Sequence, residues 1–128
     1  MRVLVVDDQA RTRQSMKAVL DAWRCVDEVH EAADGAKAVQ LAGSFRPDVI
    51  IMDARMPKMS GVEALRLIKG QGWPGKAIVL SKHPDAKAEA LAAGADVFIS
   101  KNEPLETLRK TLTDMLEDTD QDVSPRLE

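Results

Sequence analysis

The chain has 128 residues, a formal net charge of -3, one cysteine, no tyrosine and only 3% aromatic residues. That length fits one domain burying roughly two thirds of its unfolded surface, so no disulfide or metal is needed to hold a core. A lone cysteine excludes an internal disulfide, scattered Lys and Arg argue against a grip on a phosphate backbone, and scarce aromatics argue against a base-stacking platform.

Met1-Arg2 runs straight into Val3-Leu4-Val5-Val6, a continuous apolar strand that ends on Asp7-Asp8. The start is too short and too soon acidic for a signal peptide, and no apolar run approaches the roughly 20 residues of a membrane span. The expected setting is a reduced cytoplasm, away from the membrane. From Gln9 to Trp23, the residues Met16, Val19, Leu20 and Trp23 fall at i, i+3, i+4 and i+7, one buried helix face. Cys25 reads as a small packing residue. Asp27 to Ala32 mixes Asp27, Glu28, His30 and Glu31, which suits an edge strand blunted by charge. Asp34-Gly35 introduces a second helix with Ala38, Leu41, Ala42 and Phe45 on one face. Pro47-Asp48-Val49-Ile50-Ile51-Met52-Asp53 is a strand buried on both faces, ending on a single acid. Ala54 to Met59 forms a turn over the strand end. Ser60 and Glu63 make a capping box for a third helix carrying Leu65 and Ile68, which Gly70 and Gly72 close. Lys76 to Leu80 is a fourth strand ending on Ser81. Pro84 opens a fourth helix with Ala88, Leu91 and Ala92 facing inward and Gly94 as its stop. Val97-Phe98-Ile99 is the fifth strand, two residues ahead of Lys101, and Pro104 opens a last helix with Leu105, Leu108, Leu112, Met115 and Leu116 in a stripe. Most of that stripe reads as core, with its outer residues open to a dimer contact. Residues 1–117 form the domain and 118–128 an acidic linker or tail, in which the terminal Leu127-Glu128 has the form of a cloning remnant.

Strict alternation of five strands and five helices predicts an α/β fold, a parallel sheet with right-handed crossovers and helices on both faces. In such a sheet Asp7, Asp8, Asp53, Ser81 and Lys101 all emerge at the carboxyl edge, where open α/β sheets place their chemistry. Crowded carboxylates repel unless a cation sits among them, and oxygen-only ligands with room for water suit Mg²⁺. Lys101 supplies a point charge and Ser81 a hydroxyl donor for an anion. With no glycine-rich nucleotide loop present, the phosphoryl group is expected to arrive on a donor and end on Asp53 as the carboxylate nucleophile.

Five separate stretches then resemble one family in order: Val5-Val6-Asp7-Asp8 with Ala33-Asp34-Gly35, Pro47 to Asp53, Met56-Pro57-Lys58-Met59-Ser60-Gly61, Leu80-Ser81, and Gly94 to Lys101. The chain resembles the receiver domain of two-component response regulators over residues 2 to about 117, in particular those attached to LuxR-type helix-turn-helix output domains. The resemblance implies a flavodoxin-like, doubly wound sheet of order 2-1-3-4-5. It implies that Asp53 accepts a phosphoryl group from the phosphohistidine of a sensor histidine kinase. Asp8 and Asp53 would ligate Mg²⁺ directly, as would the backbone carbonyl of Arg55, and Asp7 would act through water. Ser81 would be the switch hydroxyl, Phe98 the switch aromatic and Lys101 the cation on the phosphoryl group. The chain departs from the pattern where Lys82 follows the switch hydroxyl, where Asn102 rather than proline follows Lys101, and where Phe98 lacks a tyrosine hydroxyl. Lys82, Arg55 and His83 are placed to tune the lifetime of the phosphoryl group. His83 otherwise reads as a plain loop residue and His30 as a surface residue of the edge strand.

Taken singly, Asp7-Asp8 is a helix cap as readily as a metal site, and only its conjunction with Asp53, Ser81 and Lys101 favours the phosphoryl reading. Three functions follow from different classes: a phosphorylation-controlled switch that also dimerises on modification, a receiver-like scaffold or stand-alone regulator that binds partners without phosphorylation, and a phosphatase. The short loops, which leave no cap over the site, disfavour the last, so no external enzymatic substrate is expected. Ser124-Pro125-Arg126 resembles the opening of a LuxR-type DNA-binding domain, which would make the output transcriptional, with no nucleic acid bound by this segment itself.

Overall fold

The computed structural model describes residues 1–116. The expected tail, including the Ser124-Pro125-Arg126 signal, lies outside them. Five strands alternate with five helices: β1 (Arg2–Val6), α1 (Ala10–Asp21), β2 (Glu28–Ala32), α2 (Gly35–Ser44), β3 (Val49–Asp53), α3 (Gly61–Gly70), β4 (Lys76–Ser81), α4 (Ala86–Ala92), β5 (Val97–Ser100) and α5 (Leu105–Leu116). All four strand pairings are parallel and the sheet order is β2-β1-β3-β4-β5, as anticipated for a doubly wound fold.

The apolar strands carry no polar alternation because both faces are covered. Leu4, Val6, Ile50, Met52, Ala77 and Val79 point to one core layer with residues of α2, α3 and α4. Val3, Val5, Val49, Ile51, Ile78, Leu80 and Ile99 point to the other, with Met16 and Leu20 of α1 and Leu108 and Leu112 of α5. Fully burying a side chain of this size contributes about 1.5–3 kcal/mol, so β1, β3 and β4 anchor the domain. β2 is the exposed edge, with only Ala32 fully buried, as its charges predict.

Side-chain caps set the helix starts that frame the site. Asp34 accepts the Lys37 N–H at 2.8 Å to open α2, and Ser60 Oγ accepts the Glu63 N–H at 3.1 Å to open α3. Three local expectations differ from the structure. Trp23 is buried but lies past the end of α1, which stops at Asp21. Pro84 sits in the turn before α4, whose first residue is Ala86. The buried face of α4 is Ala86 and Ala90, continued by Ala93, whereas Ala88 and Ala92 are exposed and Leu91 is 43% exposed. The expected phase was two residues off, a rotation of about 200° at roughly 100° per residue. An alanine-rich segment reads almost equally apolar from either side, so its packing against β5 rather than its composition sets the phase. In α5, Leu108 and Leu112 are buried and Met115 half-buried, but Leu105 is 43% exposed.

Candidate functional site

Three buried polar residues mark the carboxyl edge of the sheet: Asp7, Asp53 and Ser81. Asp7 follows β1, Asp53 closes β3 and Ser81 closes β4, so parallel register carries all three to one edge. Lys101, one residue beyond β5, reaches over them. Its Nζ lies 2.8 Å from Asp7 Oδ2 and 3.0 Å from Asp53 Oδ2. Asp8 is exposed, and carboxylate oxygens of Asp7, Asp8 and Asp53 all lie within 4.8 Å of one another. The expected acids and cation therefore meet in space.

Further bonds hold the acids in place. Asp7 Oδ1 accepts the Gln9 N–H at 2.9 Å, while its carbonyl accepts from Arg13 Nη1 at 2.7 Å. Arg13 Nε also donates to Glu31 at 3.1 Å, tying α1 and β2 to the end of β1. Asp53 Oδ1 accepts the Arg55 N–H at 3.3 Å. The Arg55 guanidinium turns away to the exposed Asp85, at 2.7 Å. Ser81 Oγ accepts the His83 N–H at 2.9 Å, and the Ser81 carbonyl accepts the Lys101 N–H at 2.9 Å. The Ser81 hydroxyl keeps its own proton to donate. Phe98 is half-buried and packs against the core layer of α2, α3 and α4. Lys82 is exposed and lines a cavity of about 220 Å³ between α1 and α5; among the described residues it makes no ion pair with the three acids. His83 is exposed too, and its contribution is the backbone bond to Ser81.

Burial leaves the Asp53 carboxylate poorly solvated and raises its pKa, against the opposing pull of the Lys101 ammonium and the Arg55 amide. For Lys101 burial acts downward, but its bonds to Asp7 and Asp53 outweigh that and raise its pKa. The ammonium is thus locked in its charged form by the acids it bridges. Arg55 holds the Asp85 carboxyl below the usual range.

Sequence reasoning missed four supporting residues. Arg13 and Asp85 act through partners on other segments, at separations that no local pattern encodes. Gln9 contributes only its backbone. Gly61, noted only as part of a motif, is a steric requirement: a Cβ there would sit 1.9 Å from the Asp53 carbonyl oxygen. Its missing side chain lets the first residue of α3 press against the end of β3, with Gly61 N–H donating to the Ala54 carbonyl at 2.9 Å.

Three clustered acids, two of them bridged by one lysine, at the carboxyl edge of a 2-1-3-4-5 sheet define a doubly wound α/β domain with its polar site at the strand ends. The sequence profile described as the response regulator receiver domain matches residues 3–113. The chain belongs to that family. It is 42% identical over 105 residues to the protein-glutamate methylesterase/protein-glutamine glutaminase of Thermotoga maritima, covering 79% of this chain and 30% of that protein. It is 32% identical over 112 residues to the nitrate/nitrite response regulator protein NarL of Escherichia coli, covering 86% of this chain and 52% of that one. The chain thus spans about a third to a half of the length of these relatives. Among solved structures, the signal receiver domain of the putative response regulator NarL from Mycobacterium tuberculosis superposes with a TM-score of 0.82 at 32% identity, over 89% of this chain and 94% of that one. The response regulator domain of Thermotoga maritima CheB gives 0.75 at 38% identity, over 92% of each chain. Receiver domains are signalling modules that work with histidine kinases. No helix among the described residues is long and apolar enough to cross a membrane.

Proposed function

We propose that Asp53 is the phosphoacceptor of a two-component system and that this receiver is a phosphorylation-controlled switch in the cytoplasm. The observation that carries the proposal is the buried Asp53 carboxylate bridged by Lys101 to Asp7, with Asp8 beside them. The donor set fits Mg²⁺: every side-chain donor is a hard oxygen, and three carboxylates cluster where one ammonium bridges only two of them. Asp8, Asp53 and the Arg55 carbonyl would hold the ion directly and Asp7 through water. When bound, the ion supplies charge neutralisation for an incoming phosphoryl group.

An Asp53 oxygen attacks phosphorus, the bond from phosphorus to the imidazole nitrogen of the kinase breaks, and the electron pair stays on that nitrogen. The acyl phosphate adds about -1.5 to -2 charge at the strand ends. Lys101 then pairs with the phosphoryl oxygens and the Ser81 hydroxyl donates to them, shifting the loop after β4. Phe98 follows by packing, and the face of α4, β5 and α5 changes. Leu91 on α4 and Leu105 on α5, each 43% exposed, give that face apolar surface for a partner or a second copy. A DNA-binding transcriptional output is supported by relatives such as the transcriptional regulatory protein YdfI of Bacillus subtilis, 34% identical over 87% of this chain. Translating the natural gene beyond Arg126 tests that output; a methylesterase-like continuation would replace it.

The phosphoacceptor proposal is tested by incubating the chain with a small acyl phosphate and Mg²⁺ and measuring intact mass. One added phosphoryl group is expected on the wild type and none on Asp53→Asn. No adduct on either, with partner binding intact, would favour the phosphorylation-independent scaffold.

A further inference from the structure

Arg55 bonds to two parts of the domain at once. Its backbone N–H donates to Asp53 Oδ1 at 3.3 Å, while its guanidinium donates to Asp85 Oδ2 at 2.7 Å. The loop that follows the phosphoacceptor is thereby joined to the residue immediately before α4. The two side chains are 47% and 73% exposed, so water competes for both and the pair is easily parted.

Asp85 stands at the N-cap of α4, and aspartate is among the residues that fill that role best. It does not fill it here. Asp34 and Ser60 open α2 and α3 from an extended conformation, each accepting the N–H three residues on. Asp85 instead has a helical conformation, φ -66 and ψ -16, and its side chain makes no capping bond. The turn into α4 is closed by tight bonds of the 3₁₀ type, from the Ala86 N–H to the His83 carbonyl at 3.1 Å and from the Lys87 N–H to the Pro84 carbonyl at 3.2 Å. Arg55 holds the carboxylate that this helix end lacks.

Phosphorylation changes the competition for Arg55. Lys101 together with one divalent ion balances the charges of Asp7, Asp8 and Asp53. A phosphoryl group on Asp53 brings about -1.5 to -2 in place of one carboxylate charge, which leaves the site short of up to about one positive charge. A guanidinium takes phosphoryl oxygens in bidentate geometry, a stronger bond than one to a single exposed carboxylate. Lys82, the other cation beside Ser81, lines the cavity between α1 and α5 and makes no ion pair among the described residues. We propose that Arg55 exchanges Asp85 for the phosphoryl group, and that the freed Asp85 turns to an extended conformation and caps α4 by accepting the Ala88 N–H. The inference rests on Asp53 as phosphoacceptor and gives it a route to α4 separate from the one through Ser81.

The test records arginine Nε–Hε, amide and ¹³Cα NMR signals of the wild type, Arg55→Ala, Asp85→Ala and Lys82→Ala before and after a small acyl phosphate with Mg²⁺. The intact mass of every sample reports its phosphoryl content. In the phosphorylated wild type, the Arg55 Nε–Hε signal should move and the Asp85 ¹³Cα should shift from its helical towards the extended value. In unmodified Arg55→Ala, where Asp85 has lost its partner, the Asp85 ¹³Cα and the Ala88 amide should already lie at least halfway to those phosphorylated positions. In Asp85→Ala the Arg55 signal should still move on phosphorylation, while the Ala88 amide moves less than half as far as in the wild type. Lys82→Ala should behave as the wild type. An Arg55 signal that stays in place although the phosphoryl mass is present would overturn the exchange. Unmodified Arg55→Ala that coincides with the unmodified wild type at Asp85 and Ala88 would overturn the capping, and loss of the response in Lys82→Ala would move the role to that lysine. A wild type that gains no phosphoryl mass would instead refute the phosphoacceptor reading, and this inference with it.

Discussion

Replacing Lys101 with methionine removes the one ammonium that bridges two buried acids while keeping the length of the side chain. Lys101 is 16% exposed, and its partners Asp7 and Asp53 are 2% and 11% exposed in their side chains. Breaking a fully buried pair costs about 3–5 kcal/mol because the remaining charge is stranded, and the partial exposure of the lysine brings this to roughly 2–3 kcal/mol at neutral pH. The pair Arg109–Glu106, 37% and 65% exposed, is the contrast, and Arg109→Met is expected to change little. The cost at Lys101 depends on pH at both ends. Asp53 has a folded pKa raised above 3.8, so the stability that its protonation contributes is present below 3.8 and is lost as pH rises through the folded value. Without Lys101 that folded value rises further, and the deficit of the variant grows from about pH 4 towards neutrality. Lys101 itself has a folded pKa raised above 10.5, so its contribution is complete below 10.5 and is lost as pH rises through the folded value. The difference between the two proteins is therefore largest near neutrality and shrinks towards both extremes. Urea unfolding followed by the fluorescence of the buried Trp23 and Trp73 measures it. A deficit under about 0.5 kcal/mol at pH 7, or one that does not change with pH, would refute the bridging role.

Four further outcomes follow from the same geometry. Gly61→Ala forces a Cβ against the Asp53 carbonyl and should cost about 1–3 kcal/mol in urea unfolding while slowing phosphorylation at Asp53; Gly43→Ala, with open space around it in α2, should stabilise by about 0.5–1 kcal/mol. Arg55→Ala should return the Asp85 carboxyl towards 3.8 in an NMR titration, and with it should go the stability that Asp85 supplies above 3.8 and loses as pH falls through its depressed folded value. Mg²⁺ at tenfold its Kd should raise the unfolding free energy by about 1.4 kcal/mol in the wild type and by much less at the same concentration in Asp8→Asn, as read by urea titration.

The fold was legible because β1, β3 and β4 are short, continuous apolar runs bounded by helix periodicities, and only a sheet covered on both faces explains them. The acids and Lys101 were legible for the same reason, as each is the first polar residue or nearly so past a buried strand. What stayed hidden is what sequence distance conceals. Arg13 reaches the Asp7 carbonyl from the next helix, and Arg55 finds Asp85 thirty residues away. The face of α4 was misread because alanine gives no contrast between its two sides, so Leu91 emerged at the surface instead of in the core. Ser81 was expected as a hydroxyl donor to an anion and as the switch hydroxyl, yet its oxygen also opens the loop after β4 by accepting from His83.

The most direct measurement locates the phosphoryl group. After reaction with a small acyl phosphate and Mg²⁺, borohydride reduction converts an aspartyl phosphate to homoserine, and peptide mass spectrometry finds the altered residue. Homoserine at position 53 and nowhere else is the predicted result. Homoserine at Asp7 or Asp8, or its absence from every aspartate, would contradict the assignment of the buried, lysine-bridged Asp53 as the phosphoacceptor.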